Sequence, residues 1–157
     1  MVKRTSLAEN SCPIARALDV IGDWWSMLII RDAMLGRRRF GEFQKSLGLA
    51  KNILSARLRM LVEEGILSTV PAADGSAYQE YVLTDKGRGV FPILVALRQW
   101  SEAFDAHPDE IDTILVDRKN GEPVRPLELR ARDGRLLGAR DTELKPRSAT
   151  RRRRAVA

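Results

Sequence analysis

Residues 36–65 read GRRRFGEFQKSLGLAKNILSARLRMLVEEG. This stretch resolves into two short helices joined by a tight turn. Phe40, Phe43 and Leu47 recur at helical spacing and predict the first helix. Gly48 supplies the turn. A second helix is expected over about 51–64. On a helical wheel Leu54, Leu58, Leu61 and Val62 share one face. The opposite face shows Asn52, Ala56, Arg59 and Glu63, with Lys51 and Ser55 to one side. Gly65 is a natural stop for the helix. The segment carries seven basic residues: Arg37, Arg38, Arg39, Lys45, Lys51, Arg57 and Arg59. Against them stand Glu42 and, at the far end, Glu63 and Glu64. A small helix-turn-helix with that charge has a shape and a field suited to the major groove of duplex DNA.

Working outward, Cys12-Pro13 opens a helix, since proline suits the first helical position. Ile14, Ala17, Leu18 and Ile21 continue it and Gly22 ends it. Asp23 is a plausible N-cap for a helix over 24–35 whose apolar residues point all round, the pattern of a buried element. Downstream, 66–70 and 78–83 read as strands around Pro71-Ala72-Ala73-Asp74-Gly75-Ser76, hence a β-hairpin. Thr84 is placed to cap a long helix over about 85–104, with Val90, Ile93, Leu94, Leu97, Trp100 and Phe104 as its apolar stripe. That stripe suits a dimer contact through Leu94, Leu97, Trp100 and Phe104, because a domain this small struggles to bury it alone. Closure of the monomer core is the alternative. Beyond 105, three alternating segments (113–118, 123–130, 135–139) with Asn120-Gly121 and Asp133-Gly134 between them predict a small β-meander.

The fold class expected is therefore α+β and mainly α: a winged helix-turn-helix domain with a small C-terminal β-meander. The organisation is a flexible start (1–11), a DNA-binding and dimerisation domain (12–104), a β extension (105–144) and a disordered basic tail (145–157).

Charge narrows the partners. The chain of 157 residues has a net charge of +6, but residues 145–157 hold six basic and no acidic residues, leaving 1–144 neutral. The field that matters is the local one on 36–65, which argues for one oriented face rather than general stickiness. No run approaches the roughly 18 apolar residues of a membrane span, and no apolar signal region precedes the domain, so a cytoplasmic protein without membrane contact is expected. One cysteine, Cys12, excludes an intrachain disulfide, and one histidine, His107, leaves almost nothing for a zinc site. No metal and no cofactor are expected. An enzyme needs a convergent set of His, Cys or carboxylate groups, and the chain has none.

Helix-helix-helix-turn-helix-hairpin-helix is the winged helix order. CPIARALDVIGDWWSMLIIRDAMLG (12–36), RRRFGEF (37–43), ILSARLRMLVEEGIL (53–67) and YVLTDKG (81–87) together resemble the HxlR family of bacterial winged helix transcription regulators. The shared features include Cys12-Pro13, Gly22, Trp25, Arg39-Phe40, Leu54-Ser55, Arg57-Leu58, Leu61, Gly65, Tyr81, Leu83-Thr84 and Gly87. The resemblance covers Cys12 to about Phe104. It implies a homodimer whose recognition helices enter successive major grooves of an imperfect palindrome in double-stranded DNA, more often as a repressor. It also implies that Cys12 stands where several members carry an oxidant- or electrophile-sensing cysteine. A helix start favours the reactive thiolate. With one cysteine per chain, the product is a Cys12–Cys12 bond between subunits, a mixed disulfide or an adduct. The alternative is a small residue packed at a helix start. Some relatives carry metal-binding cysteines in extensions like the C-terminal one; this extension has none.

The wheel assigns roles. Lys51, Asn52, Ser55, Ala56 and Arg59 face outward as base readers, Asn52 toward adenine, Arg59 toward guanine and Ala56 toward a thymine methyl. Arg37, Arg38, Arg39 and Lys45 precede or flank the helix and would grip phosphates, fixing register without reading sequence. Arg57 is either a phosphate clamp or an internal ion-pair partner. The hairpin departs from a typical wing: no Lys or Arg lies between Arg59 and Lys86, and Asp74 adds negative charge near its tip. A weak wing contribution follows, with Arg151 to Arg154 either a substitute or a floppy end. Trp24, Trp25 and Trp100 form a core, an interface or a site for a small aromatic effector. The competing functional class is a protein-interaction module on a winged helix scaffold, which predicts weak, sequence-independent DNA binding.

Overall fold

The computed structural model describes residues 6–105, 107 and 113–146. It divides into two compact units between Ser101 and Glu102. The order is α1 (Pro13–Ile21), α2 (Trp24–Met34), α3 (Phe40–Leu47), α4 (Lys51–Glu63), β1 (Leu67–Pro71), β2 (Gln79–Leu83), α5 (Asp85–Arg88) and α6 (Phe91–Phe104), whose last turn falls past the division. β1 and β2 pair antiparallel, with Leu67 opposite Leu83 and Pro71 opposite Gln79. This is the expected winged helix-turn-helix, mainly α with a two-stranded wing.

Local chemistry sets the boundaries. Pro13 opens α1. Residues 6–11 are tied back to that helix: Ser6 Oγ donates to Asp19 Oδ2 at 2.9 Å, and the Arg16 guanidinium donates to the Asn10 carbonyl at 2.6 Å. Asp23 caps α2 by accepting from the Trp25 and Ser26 amides. Gly48 at φ +64° and Gly65 at φ +67° take the left-handed turns after α3 and α4 that other residues resist.

The core is built where α2, α3, α4 and the start of β1 meet, from Ile29, Ile30, Phe43, Leu54, Leu58, Leu61, Ile66 and Leu67, all but sealed from solvent. The apolar face of α4 points inward as the wheel predicts, and that alone turns its polar face outward. α2 differs from its expected burial: Ile29 and Ile30 are buried but Trp24 is 74% exposed.

Two further expectations are corrected. The single helix over 85–104 is two helices. Thr84 does cap the first, its hydroxyl accepting from the Gly87 amide. Pro92 then forbids continuation, because its ring would strike the Arg88 carbonyl four residues back and it has no N–H to donate. Gly87 is fixed by packing, since a Cβ there would lie 2.2 Å from the Ile66 carbonyl oxygen. In the second unit the turns fall as expected, with Gly121 at φ +74° and Gly134 at φ +86°. Among the described residues, however, the meander is reduced to two isolated bridges, Val116 with Pro123 and Arg130 with Leu136. Pro126, which has no N–H to donate, stands where the first pairing would extend. Residues 147–157, including Arg151 to Arg154, lie outside the described residues. No helix among the described residues is long and apolar enough to cross a membrane.

Candidate nucleic-acid interface

α3, the Gly48 turn and α4 present the candidate interface. Leu49, buried just after the turn, and the Gln44 amide reaching the Leu49 carbonyl at 3.5 Å hold the two helices in register. Lys51, Asn52, Ser55, Ala56 and Arg59 are all exposed along one side of α4. They are the five residues expected to read bases. An open cleft of about 530 Å³ lined by Ser55, Arg59, Val62, Glu63, Thr69 and Tyr81 separates this helix from the wing.

The residues expected to hold phosphates are placed differently from a free cationic rim. Arg38 Nε lies 2.9 Å from Glu80 Oε2, and Arg39 Nε lies 3.3 Å from Glu80 Oε1. The other edge of Arg39 meets Asp74 Oδ2 at 2.6 Å. Arg37 lies 3.5 Å from the buried Asp32 carboxylate, which Arg31 also contacts at 2.8 Å. Arg57 Nε lies 3.4 Å from Asp23 Oδ2. Lys45 is exposed. The four carboxylates come from α2, its cap and the wing. Sequence reasoning noted Asp74 as a negative wing tip and missed Glu80. Its signal was an acidic residue at an inward position of β2, where the apolar alternation calls for a hydrophobe.

The segment before α3 is also knitted to the wing through backbone, the Tyr81 amide donating to the Arg38 carbonyl at 2.8 Å. Glu42 accepts from the Arg38 and Arg39 amides at 2.7 and 2.9 Å. Those two bonds hold its carboxyl below the usual range for glutamate. A lowered folded-state value means that stability is contributed at neutral pH and lost as pH falls through that value. Glu42→Gln is therefore expected to melt below the parent at about pH 7, with the difference closing as pH falls from about 4 downward. Thermal melts at several pH values check this. The Arg39 guanidinium, with help from Ser76, likewise holds the Asp74 carboxyl far below its ordinary range.

The other expected sites are spread over the domain. Cys12 is exposed and is the N-cap residue of α1; its amide donates to Asn10 Oδ1 at 2.9 Å. On α6, Leu94 is turned to the core, whereas Leu97 (51% exposed), Trp100 (60%) and Phe104 (77%) lie on the solvent side with Ile93. Trp24 and Trp25 meet edge to face, ring centroids 6.3 Å apart. Neither the α4–wing cleft nor a second cleft of about 590 Å³, lined by residues of α2, β2 and α6 with Arg38 and Arg88, is lined by any tryptophan. Among the described residues no cluster of His, Cys, Asp and Glu is arranged to hold a metal.

Residues 20–109 match the family model described as HxlR-like helix-turn-helix. An uncharacterized HTH-type transcriptional regulator of Mycobacterium tuberculosis, Rv3095, is 36% identical over 133 residues, covering 85% of this chain and 84% of that one. Among solved structures, the crystal structure of PA1607 is 62% identical with a TM-score of 0.84, covering 90% of this chain and 99% of that one. The redox regulator HypR in its oxidized form is 30% identical with a TM-score of 0.55, covering 61% of this chain and all of that one.

Proposed function

The chain belongs to the HxlR-like helix-turn-helix family of transcription regulators, and on that premise we propose that it is a homodimeric, sequence-specific DNA-binding repressor reading an imperfect palindrome through α4. It is not an enzyme. The observation that carries the DNA reading is the row of exposed residues Lys51, Asn52, Ser55, Ala56 and Arg59 on the helix that follows the tight turn. Lys51 and Arg59 supply charge there, and Asn52 and Arg59 supply paired hydrogen-bond geometry for adenine and guanine. Work in the cytoplasm fits this role. The stripe Ile93, Leu97, Trp100 and Phe104 is spaced by four, three and four residues, the repeat of a helix–helix seam. A second copy covering it would supply the second α4 that a palindrome requires.

Selection of binding sites from random duplex DNA by the purified chain, run reduced and oxidised, tests this reading. An enriched palindrome supports it, and uniform weak binding would favour a protein-interaction module instead. Arg59→Ala is expected to relax preference at one operator position by about 1–3 kcal/mol. Arg38→Ala is expected to weaken binding to every sequence and flatten its salt dependence. Binding titrations on operator and scrambled duplexes separate the two. If both variants behave alike on all sequences, the division into reading and positioning residues is wrong.

Control through Cys12 is the second part of the proposal. Its exposure at the start of α1 gives oxidants access, and a structural neighbour is a redox regulator. Oxidation or alkylation at Cys12, through a bond to the partner's thiol, a mixed disulfide or an adduct, would then alter the dimer. A Cys12→Ser chain that still loses operator binding with every thiol oxidant would overturn this control.

A further inference from the structure

We infer that Asp74 stands, in the DNA-free protein, where a duplex phosphate docks on Arg39, so that the wing tip is a built-in competitor for DNA. This rests on the DNA-binding reading above and adds to it the residue that sets non-specific affinity.

The two carboxylates on Arg39 are not equivalent. Glu80 is 5% exposed and is shared by Arg38 at 2.9 Å and Arg39 at 3.3 Å. Moving it would strand a buried charge and take from Arg38 its carboxylate and from Arg39 one of its two, so Glu80 is fixed and orients them. Asp74 sits on the surface turn of the wing, its side chain 53% exposed, against the remaining edge of Arg39. A carboxylate there is solvated as soon as it swings out, and such a surface pair contributes little. A phosphate diester brings the same charge and two oxygens to the same guanidinium edge. Exchange therefore keeps Arg39 paired throughout. It also means that Arg39 arrives at DNA already neutralised and releases one counterion fewer than a free arginine. The wing thus does more than lack cations: its one tip carboxylate restrains the phosphate contact of the segment it touches, which favours sites where α4 also reads bases.

The test is titration of a labelled random-sequence duplex of about 30 base pairs, long enough for two half-sites, at several salt concentrations, with the parent, Asp74→Asn, Arg39→Gln and the double variant. Asn keeps the acceptor that Asp74 Oδ1 offers to the Ser76 amide at 3.0 Å, so the turn is preserved. Asp74→Ser, which also keeps an acceptor, serves as a second variant, and melting temperatures verify the fold of each. The expected result is about two- to five-fold tighter binding by Asp74→Asn at low salt, with a salt slope steeper by about one. In the Arg39→Gln background the gain should vanish. Unchanged or weaker binding by both Asp74 variants would overturn the inference, as would an equal gain with and without Arg39, which would mean only a long-range charge effect. A parent chain that binds no duplex at low salt would overturn the DNA reading itself, a result distinct from a parent that binds and variants that do not differ.

Discussion

Leu97→Asp is expected to convert the protein to a monomer and to weaken binding to a palindromic duplex by about 10²–10⁴-fold, the advantage that two linked reading heads hold over one. Leu97 is half exposed in the middle of the proposed α6 seam. An aspartate there keeps its charge in water in a monomer but would be buried against apolar side chains in a dimer, where an unpaired charge costs several kcal/mol. The fold itself should be spared, because the inward side of α6 is made by Leu94 and Val95. Sedimentation at several concentrations reads the assembly, and titration on operator and half-site duplexes reads the affinity. The parent should favour the full site strongly and the variant should not distinguish them. A variant that remains dimeric would place the interface elsewhere, with the exposed Ile14 on α1 the next surface to test.

Phe43→Ala is expected to lower the free energy of unfolding by about 3–5 kcal/mol. That is a large share of the roughly 5–15 kcal/mol of a typical domain. Phe43 is fully buried and is the largest such side chain. It comes from α3 and packs in the cluster that α2 and α4 complete, with the Tyr81 ring edge-on at 6.4 Å. One ring thus joins the helix-turn-helix to the wing. Its loss leaves a cavity the surrounding helices cannot fully close, and chemical denaturation with far-UV circular dichroism reads the change. Phe43→Leu should cost much less, since it keeps most of the buried apolar volume. DNA affinity measured well below the melting temperature should fall less than stability does, because Phe43 is sealed in the core and offers no surface to DNA.

The fold was legible because its signals are local. Apolar residues at three- and four-residue spacing specify α1, α3 and α4, and Gly48 and Gly65 punctuate them where left-handed backbone is needed. The expected length of the last helix was wrong because a continuous apolar stripe outweighed Pro92, whose effect is on hydrogen bonding rather than hydrophobicity. The expected meander is reduced in extent: Asn120-Gly121 and Asp133-Gly134 do make turns, each closed by one bridge, but Pro126 has no N–H with which to extend the first pairing.

The letters alone set the orientation of α4. Leu54, Leu58 and Leu61 must be buried, so Lys51, Asn52, Ser55, Ala56 and Arg59 must face water. The electrostatics around that helix come from the folded arrangement. Counted along the chain, Arg37, Arg38, Arg39 and Arg57 belong to a basic segment whose one acid is Glu42. In space Asp23, Asp32, Asp74 and Glu80 come to within 4 Å of them. Charge acts through distance in three dimensions, and these partners lie up to 42 residues away along the chain. Helical periodicity acts through neighbours three and four residues apart, which is why one could be read from the letters and the other could not.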